Sequence, residues 1–419
     1  MSRNNTHKSV SSFLHFGYVP RVLDDVDKQP WAMEGGLSSP LKGVGESALV
    51  SEGLKALEST FHNPGNGLHV VPLSGGLDSR AILAGLIRAG LREQIIAVTF
   101  GVPGNWDFDI GSLVATEAGV RHEAIDLNNI KLTQEVMEQT ARRFDSWIWL
   151  FDAVYNGMVT HLFGKEATYW IGYFGDPLAG SHLPQKDSNN WIQARDGFVR
   201  RGQFSRNLKV THPDFEAEES LPDTPILNCS RLTYDEQLDF VLRQHSYIRP
   251  LVVPKEHRCR IPFVDKIWVD FMLGVPRKFR EQQCLYKEIL KRINPKLFSL
   301  PTKNQLGLSL FVPSWLPPLK KLCFFPLSFG RRHLPSLSWP PDPTNNYIDF
   351  ENSLRKRGDI KELVRNNLMS LRERGIVDWI NLEMLWEHHQ KGKGNFANAI
   401  TLLISLEINL KVEQNSEGL

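Results

Sequence analysis

The chain has 419 residues, a length that at roughly 100 to 200 residues per domain allows two or three structural units. Apolar residues make up 41%, charged residues 23%, and 49 Lys+Arg against 47 Asp+Glu leave a net charge of +2, which excludes a disordered, collagenous or strongly basic chain. No global field steers it to nucleic acid or anionic lipid, and its four cysteines include no C-x-x-C pair, so neither a disulfide framework nor a cysteine zinc site is expected. The opening segment lacks a long apolar run, and the most apolar later stretch, 310–329, is broken by Pro313, Pro317, Pro318, Lys320 and Lys321. No signal peptide or membrane span is therefore expected, and the location this implies is cytoplasmic.

Residues 1–45 are rich in Ser, Asn, Pro and Gly without a sustained period and read as an irregular lead-in. From residue 46 the pattern changes. The apolar run LHVVPL (68–73) is followed by a Gly-Gly turn and a helical pattern to Arg88; QIIAVTF (94–100) is followed by a polar loop and a helical pattern from Asp107 to Glu117. HEAIDL (122–127), a helix near 131–143 and ATYWIG (167–172) continue the alternation. Strands separated by helices predict βαβ units and a parallel sheet of buried strands, an α/β fold. Beyond residue 180 an irregular polar insertion is expected through 186–225, then helices at 231–248 and 282–293. A Pro-, Trp- and Phe-rich stretch at 311–345 reads as a long packed loop, and the C-terminal 75 residues as three helices over 350–372, 378–390 and 395–410.

The stretch richest in chemistry is Leu73-Ser74-Gly75-Gly76-Leu77-Asp78-Ser79, set between a buried strand and a helix. Two glycines let the backbone come close to a ligand, and the free N–H groups of the helix start, at the positive end of its dipole, suit a phosphate. Ser74 and Ser79 add hydroxyl donors, and Asp78 can carry Mg2+. At average residue usage S-G-G-x-D-S arises by chance about once per 10⁶ starts, which favours phosphate binding over a turn built for conformation alone. No lysine follows the glycines, so this is not the G-x-x-x-x-G-K-[ST] loop of kinases and GTPases.

The stretch resembles the PP-loop of ATP pyrophosphatases, which cleave ATP between the α and β phosphates. That family spans asparagine, argininosuccinate, NAD and GMP synthetases and tRNA-modifying enzymes. Four further stretches resemble the synthetase domain of asparagine synthetase and its relatives, β-lactam synthetase and the lasso-peptide cyclases. VTFGVPGNWDFDIGSLVATEAGVRHEAIDL is similar to the family's second strand, loop, Asp-led helix and His-bearing strand, with Asp107 and His122 at matching positions. Gly172-Tyr173-Phe174-Gly175-Asp176-Pro177-Leu178-Ala179-Gly180 resembles the G-x-G-x-D-x-x-x-G loop, and Arg260-Ile261-Pro262-Phe263-Val264-Asp265 resembles R-x-P-F-L-D. LYKEILKRINPKLFSLPTKNQLG places Lys303 where the family has its catalytic lysine. Leu385-Trp386-Glu387-His388-His389, leading to Gly392 and Asn395, is like the family's closing helices.

This resemblance runs from about residue 50 to 410. It implies an α/β, parallel-sheet PP-loop (adenine nucleotide alpha hydrolase-like) synthetase domain with a helical C-terminal portion. On that reading 1–45 is a junction-like lead-in, 46–180 the ATP-binding core and 181–419 its helical continuation. It also implies ATP and Mg2+ as cofactors, and activation of a small-molecule or peptide carboxylate as an acyl-adenylate with pyrophosphate release. An amine or ammonia then attacks. Ser74, Gly75, Gly76 and Ser79 would hold pyrophosphate, Asp78 and Asp176 would hold Mg2+, and Lys303 would stabilise charge on the transferring phosphorus. Val98, Thr99 and Gly172 would touch adenine and ribose through backbone groups. Arg260 and Asp265 read as structural, paired with each other or with backbone. His122, His388 and His389 read as packing or hydrogen-bonding groups, since nothing near them has zinc-ligand spacing.

The departures from the family are as informative. Full-length asparagine synthetases begin with a glutaminase domain whose nucleophile is the cysteine after the initiator methionine. Here position 2 is Ser2 and fewer than 50 residues precede the ATP domain, so ammonia from glutamine is expected only through a separate glutaminase chain. FLHFGYVPRVL (13–23) resembles the segment that joins the two domains. At the position of Tyr173 asparagine synthetase has a glutamate, whereas β-lactam synthetase has a tyrosine in a Tyr/Glu dyad that deprotonates the attacking amine. Tyr173 is accordingly a proton-transfer candidate, with Lys303 as the cation that tunes it. The dyad glutamate does not map: gap-free counting back from Arg260 gives Gln244, with Glu236 and Asp239 the nearby acids. Phe174 replaces a family glycine, Pro177 a family acid, and Arg258 a common family glutamate. Two other readings stay open, a different PP-loop enzyme and a catalytically weak homologue that binds ATP and serves as a partner or scaffold in a biosynthetic cluster.

Overall fold

The computed structural model describes residues 3–33, 41, 43–157, 162–322, 330 and 342–417. Five strands, β1 (His69–Pro72), β2 (Ile95–Gly101), β3 (Arg121–Asp126), β4 (Thr168–Trp170) and β5 (Arg258–Arg260), form one parallel sheet in the order β3-β2-β1-β4-β5. Val70, Val71, Ile95, Ala97 and Val98 are buried, as expected of central parallel strands covered on both faces. The α/β parallel-sheet PP-loop fold with a helical C-terminal portion is thus present. The fifth strand lies beyond residue 180, so the sheet draws on the C-terminal portion as well. Its three residues, Arg-Cys-Arg, have no apolar run to announce them, and both arginines are exposed on the sheet edge, which suits an edge strand.

Between the strands run α3 (Asp78–Arg88), packed on β1, and α4 (Trp106–Ala118), packed on β2 and β3. α2 (Glu46–Ser59) precedes the sheet, while α5 (Gln134–Ala141) and α6 (Leu150–Asn156) lead to β4. Chain direction across the sheet reverses between β1 and β4, the switch point outside whose carboxyl ends ligands bind in open α/β sheets.

The lead-in is not irregular. α1 (Arg3–Phe16) buries Val10, Phe13 and Leu14, an i, i+3, i+4 stripe hidden in a Ser- and Asn-rich composition, and packs against the last helix of the chain. Trp31 further on is wholly buried. Nor is the polar insertion without structure, since α7 (Trp191–Gly202) buries Trp191, Ala194, Phe198 and Val199. α8 (Tyr234–Leu238) starts with a capping box between Thr233 and Glu236 and continues as a ten-residue π-helix, Asp239–Ile248. α9 (Lys266–Gly274) and α10 (Cys284–Ile293) both pack on α2. Of the stretch 311–345, residues 316–322 are helical rather than loop; 323–329 and 331–341 lie outside the described residues.

Four helices close the chain where three were expected: α11 (Phe350–Lys356), α12 (Gly358–Arg374), α13 (Leu382–Gln390) and α14 (Ala397–Glu417). The first pair is divided at Arg357, which is extended (φ −82°, ψ 124°) and donates to the Ile130 carbonyl (2.5 Å) and the Asp359 carboxylate. No helix among the described residues is long and apolar enough to cross a membrane, and the three described cysteines are free thiols.

Candidate active site

β1 ends at the switch point, and Leu73 N–H makes a last sheet bond to the Val98 carbonyl (2.8 Å) before the chain turns into α3. Ser79 Oγ accepts from Ser74 N–H (3.1 Å) and lies 3.3 Å from Ser74 Oγ, which accepts from Gly76 N–H (3.2 Å). The two serine hydroxyls therefore tie the turn. A Cβ at position 75 would stand 2.7 Å from the Trp106 carbonyl, so glycine is what permits the start of α4 to pass so close. That passage brings Asp107 to the loop. Its Oδ1 accepts from Gly75 N–H (3.2 Å) and its Oδ2 from Lys303 Nζ (2.5 Å).

Lys303 reaches the loop through its backbone as well, donating to the Gly75 carbonyl (2.9 Å), and its ammonium also bonds Asn346. Arg80 explains how a residue so distant in sequence arrives here. Wholly buried in α3, its guanidinium donates to the carbonyls of Leu297 (3.1 Å), Leu300 (3.3 Å) and Pro301 (2.7 Å). The helix that opens at the loop thus also grips the segment that delivers the lysine.

Asp78, first residue of α3, faces the second loop. Tyr286 in α10 donates its hydroxyl to Asp78 Oδ1 (2.8 Å) and Asp176 N–H donates to Oδ2 (2.8 Å), while Asp176 Oδ1 accepts from Gln283 (2.5 Å). Burial, with the Asp176 charge beside it, pushes the Asp78 carboxyl up to about 8. Among the described residues no cluster of three His, Cys, Asp or Glu could form a metal cage. Two adjoining carboxylates left to be completed by phosphate oxygens and water are the donor set Mg2+ takes in nucleotide sites, so these residues fit that ion.

A cavity of about 430 Å³ is lined by Ser74, Gly76, Asp78, Ser79, Gly172, Tyr173 and Asp176. Val98 and Thr99 sit deeper: Val98 is wholly buried, and Thr99 Oγ1 donates to the Leu73 carbonyl (3.0 Å) and lies 3.0 Å from His122 Nε2. Phe100, one residue further along β2, lines the cavity instead. Arg260 donates to the Asn63 carbonyl (3.0 Å) and Asp265 caps α9 through Ile267 N–H (2.9 Å), both backbone roles and not a mutual pair. His389, in α13, is buried against the Glu351 carbonyl (3.2 Å).

Tyr173 is buried, and among the described residues its hydroxyl has no hydrogen-bond partner. Burial raises its pKa far above the ordinary phenol value, and the charges that act on it are those of Arg249, Asp239 and Asp25, not Lys303. None of the nearby acids is free to complete a dyad, Asp25 being held by His245 (2.8 Å). Glu236 is held by Arg280 (2.6 Å) and Asp239 by His182 (2.8 Å), while the cavity wall carries the neutral Gln244. Phe174 takes the family glycine's place with φ +73°, a left-handed conformation that strains a side chain, and its ring is clamped by Trp31 (5.7 Å) and Phe240 (4.6 Å).

His182, Arg243, Asn156 and Asn304 also line the cavity and were not foreseen. Arg243, Gln244 and Ile248 come from the π-helix, whose i→i+5 bonding breaks the helical period by which a sequence is read. His182 follows the loop's final glycine by two residues, a position with no pattern of its own.

Residues 70–168 match the asparagine synthase family model. No curated protein matches the chain. The matched stretch runs from β1 to the first residue of β4, so it contains the Ser74–Ser79 loop and Asp107, whereas Tyr173, Asp176 and Lys303 lie beyond it. Over residues 70–168 the chain is similar to the synthetase domain of a family of ATP-dependent, amide-forming ligases.

Proposed function

We propose that the chain is an AMP-forming carbon–nitrogen ligase, activating a carboxylate with ATP and joining it to an amine. One observation carries the reading: an anion, the Asp107 carboxylate, already bridges a glycine N–H of the loop and the Lys303 ammonium at the sheet's switch point. A phosphate group needs the same two partners.

In the first half-reaction a substrate carboxylate oxygen attacks the α phosphorus of ATP, forming the acyl-adenylate and breaking the bond to pyrophosphate. Ser74, Gly75, Gly76 and Ser79 hold the pyrophosphate through N–H and hydroxyl groups. Lys303 exchanges Asp107 for phosphate oxygens and stabilises the charge that builds on them. Asp78 and Asp176 would hold Mg2+, which when bound neutralises phosphate charge. Gly172, with the backbone at the end of β2, borders the nucleoside. In the second half-reaction the amine attacks the acyl carbon and AMP leaves. Tyr173, too deeply buried to give up its proton easily, serves as a hydroxyl that hydrogen-bonds the incoming group. The nucleophile is a substrate-borne amine; ammonia from a separate glutaminase chain is the other supply.

Gln244, where a dyad would need an acid, favours a second reading, a homologue that binds ATP as a partner or scaffold. ATP–pyrophosphate exchange separates the two. The assay uses Mg2+, labelled pyrophosphate and a panel of L-aspartate, L-glutamate, N-acyl amino acids and peptides with a free C-terminal carboxylate. Exchange dependent on one of these acids supports the ligase. ATP binding without exchange on any of them supports the scaffold.

A further inference from the structure

The part of the cavity wall formed by the second loop and the π-helix contains a pair that the ligase reaction leaves unused. Gly180 closes the second loop with φ +99°, and a Cβ there would lie 2.3 Å from the Arg280 carbonyl. The chain can therefore run tightly beneath Arg280 and turn, with Ser181 N–H donating to the Asp176 carbonyl (3.2 Å), to set His182 on the cavity wall. Arg280 fixes the other half of the pair. Its guanidinium donates to the Leu178 carbonyl (3.0 Å) and to Glu236 (2.6 Å), tying the second loop to the helix that leads into Asp239. Across this junction His182 Nδ1 lies 2.8 Å from Asp239 Oδ2.

The contact with Asp239 orients the ring. Burial raises the Asp239 pKa, but His182 and Arg243 outweigh it and hold the carboxyl below its usual range, so it is ionised and can only accept. At 2.8 Å the contact is made by an N–H at Nδ1, which leaves Nε2 outside the pair. Arg243 approaches the same Nδ1 at 3.4 Å and Asp239 Oδ1 at 3.7 Å, and so takes no part on the Nε2 side. Among the described residues Nε2 has no partner, and the imidazole is 31% exposed, enough for a ligand to reach it.

We propose that His182, oriented by Asp239, is the proton acceptor for the attacking amine, the role for which Tyr173 has no acidic partner. This rests on the ligase reading. Nε2 first takes a proton from the ammonium form, giving an imidazolium whose charge Asp239 balances and freeing the neutral amine, which adds to the acyl carbon as the new C–N bond forms and the C–O bond to AMP breaks. AMP departs as the anion, and the proton that nitrogen then sheds passes to water. The imidazolium then releases its proton to water. A carboxylate-backed imidazole suits the task, because the carboxylate balances the charge the ring gains when it accepts a proton, whereas a buried phenol has no such partner.

The test separates the half-reactions in His182→Gln and Asp239→Asn, using ATP, Mg2+ and the acid that gives the strongest exchange. Ammonium chloride is one nucleophile and hydroxylamine, already neutral near pH 7, the other. In His182→Gln exchange stays within about twofold, amide formation from ammonium falls at least about 100-fold, and hydroxamate formation falls less than about fivefold. Asp239→Asn moves in the same direction by a smaller factor. Normal amide formation in His182→Gln overturns the proposal. So does an equal loss with both nucleophiles, which would make His182 a binding group. A second arm needs no substrate: nitrogen NMR of histidine-labelled protein shows His182 as the Nδ1–H tautomer, and Asp239→Asn abolishes that preference. An Nε2–H tautomer in the parent protein overturns the proposal even where exchange is normal, whereas absent exchange in the parent overturns the ligase reading.

Discussion

The two walls of the cavity are built on different principles. The Ser74–Ser79 wall is made of backbone N–H groups, short hydroxyls and, at Gly75, a glycine whose missing Cβ lets α4 pass close by. The wall from Gly172 through the π-helix is made of long side chains on unusual backbone: a left-handed Phe174, a buried phenol without a partner, and a helix with i→i+5 bonds. A phosphate is the same in every ATP-using reaction, so its wall has little freedom. On the ligase reading proposed above, the second wall must fit the carboxylate and the amine, and it is there that the residues leave the motifs they resemble. Backbone strain held in place by aromatic packing is what a site shaped for one ligand tolerates.

If the first wall carries the chemistry of ATP, Lys303, the ammonium tied to it through Asp107, should show the largest effect. Lys303→Met removes the ammonium but leaves the backbone bond to Gly75 and the three carbonyl contacts of Arg80 that position the segment. Exchange should fall by about 10²–10³, equivalent to about 3–4 kcal/mol of transition-state stabilisation. The urea midpoint should change little. A large fall in the midpoint together with activity would mean that Lys303 is a structural strut between Asp107 and Asn346.

Phe174→Gly tests whether the second wall is held by strain or by packing. Glycine relieves the φ +73° penalty, about 1–2 kcal/mol. It also deletes a buried ring lodged between Trp31 and Phe240, a loss of about 3–5 kcal/mol. Packing wins, and the variant should unfold with about 2–3 kcal/mol less stability by urea titration. An unchanged or higher midpoint would show that the aromatic clamp contributes nothing and that the strain was needless.

Asp78 stands where the walls meet, and pH sharpens the comparison. Its folded-state pKa of about 8 is above the unfolded carboxyl value of about 3.9, so the folded chain keeps a proton that the unfolded chain releases. In metal-free protein the stability from this group is full below about pH 4 and is lost as pH rises through about 8. Mg2+ with pyrophosphate needs the ionised form, and should raise the melting temperature more at about pH 9 than at about pH 6. Asp78→Asn should flatten both trends. A parent protein whose metal-free melting temperature does not decline over this range would remove the carboxylate pair as the cause.

How much of this was legible follows the same division. β1, β2 and β4 announce themselves as apolar runs, and the loop by its residue types, because burial on two faces and close backbone approach each leave few choices; β3, a polar and largely exposed edge strand, was read from its place in the alternation. Lys303 was singled out through the motif it resembles; nothing local in the chain says that Arg80, far earlier in the sequence, grips the segment before it. α1 was missed because its apolar stripe is sparse amid Ser and Asn, and β5 because an edge strand need not be apolar. His182 and Asp239 could not be paired in advance. They lie 57 residues apart, and the contact depends on the turn after Gly180 and on the Arg280–Glu236 tie, neither of which is visible as a period.

The smallest effect should come from Tyr173→Phe, and its size decides what the buried hydroxyl is for. Among the described residues that hydroxyl is buried without a partner, which costs folding free energy, so removing it should leave stability unchanged or raise it by about 1 kcal/mol. Exchange should be preserved, because the phosphate wall does not use the phenol. Amide formation should slow by about two- to tenfold, at most about 1.4 kcal/mol, the size of one neutral hydrogen bond to the incoming group. A loss of 100-fold or more would be too large for such a bond and would return the proton-transfer role to Tyr173, with His182 demoted to its support. No loss in any step, with higher stability, would make the phenol a packing group whose hydroxyl the second wall merely tolerates. The pair of variants, Tyr173→Phe and His182→Gln, therefore ranks the two residues by magnitude on one half-reaction while the other half-reaction serves as the internal control.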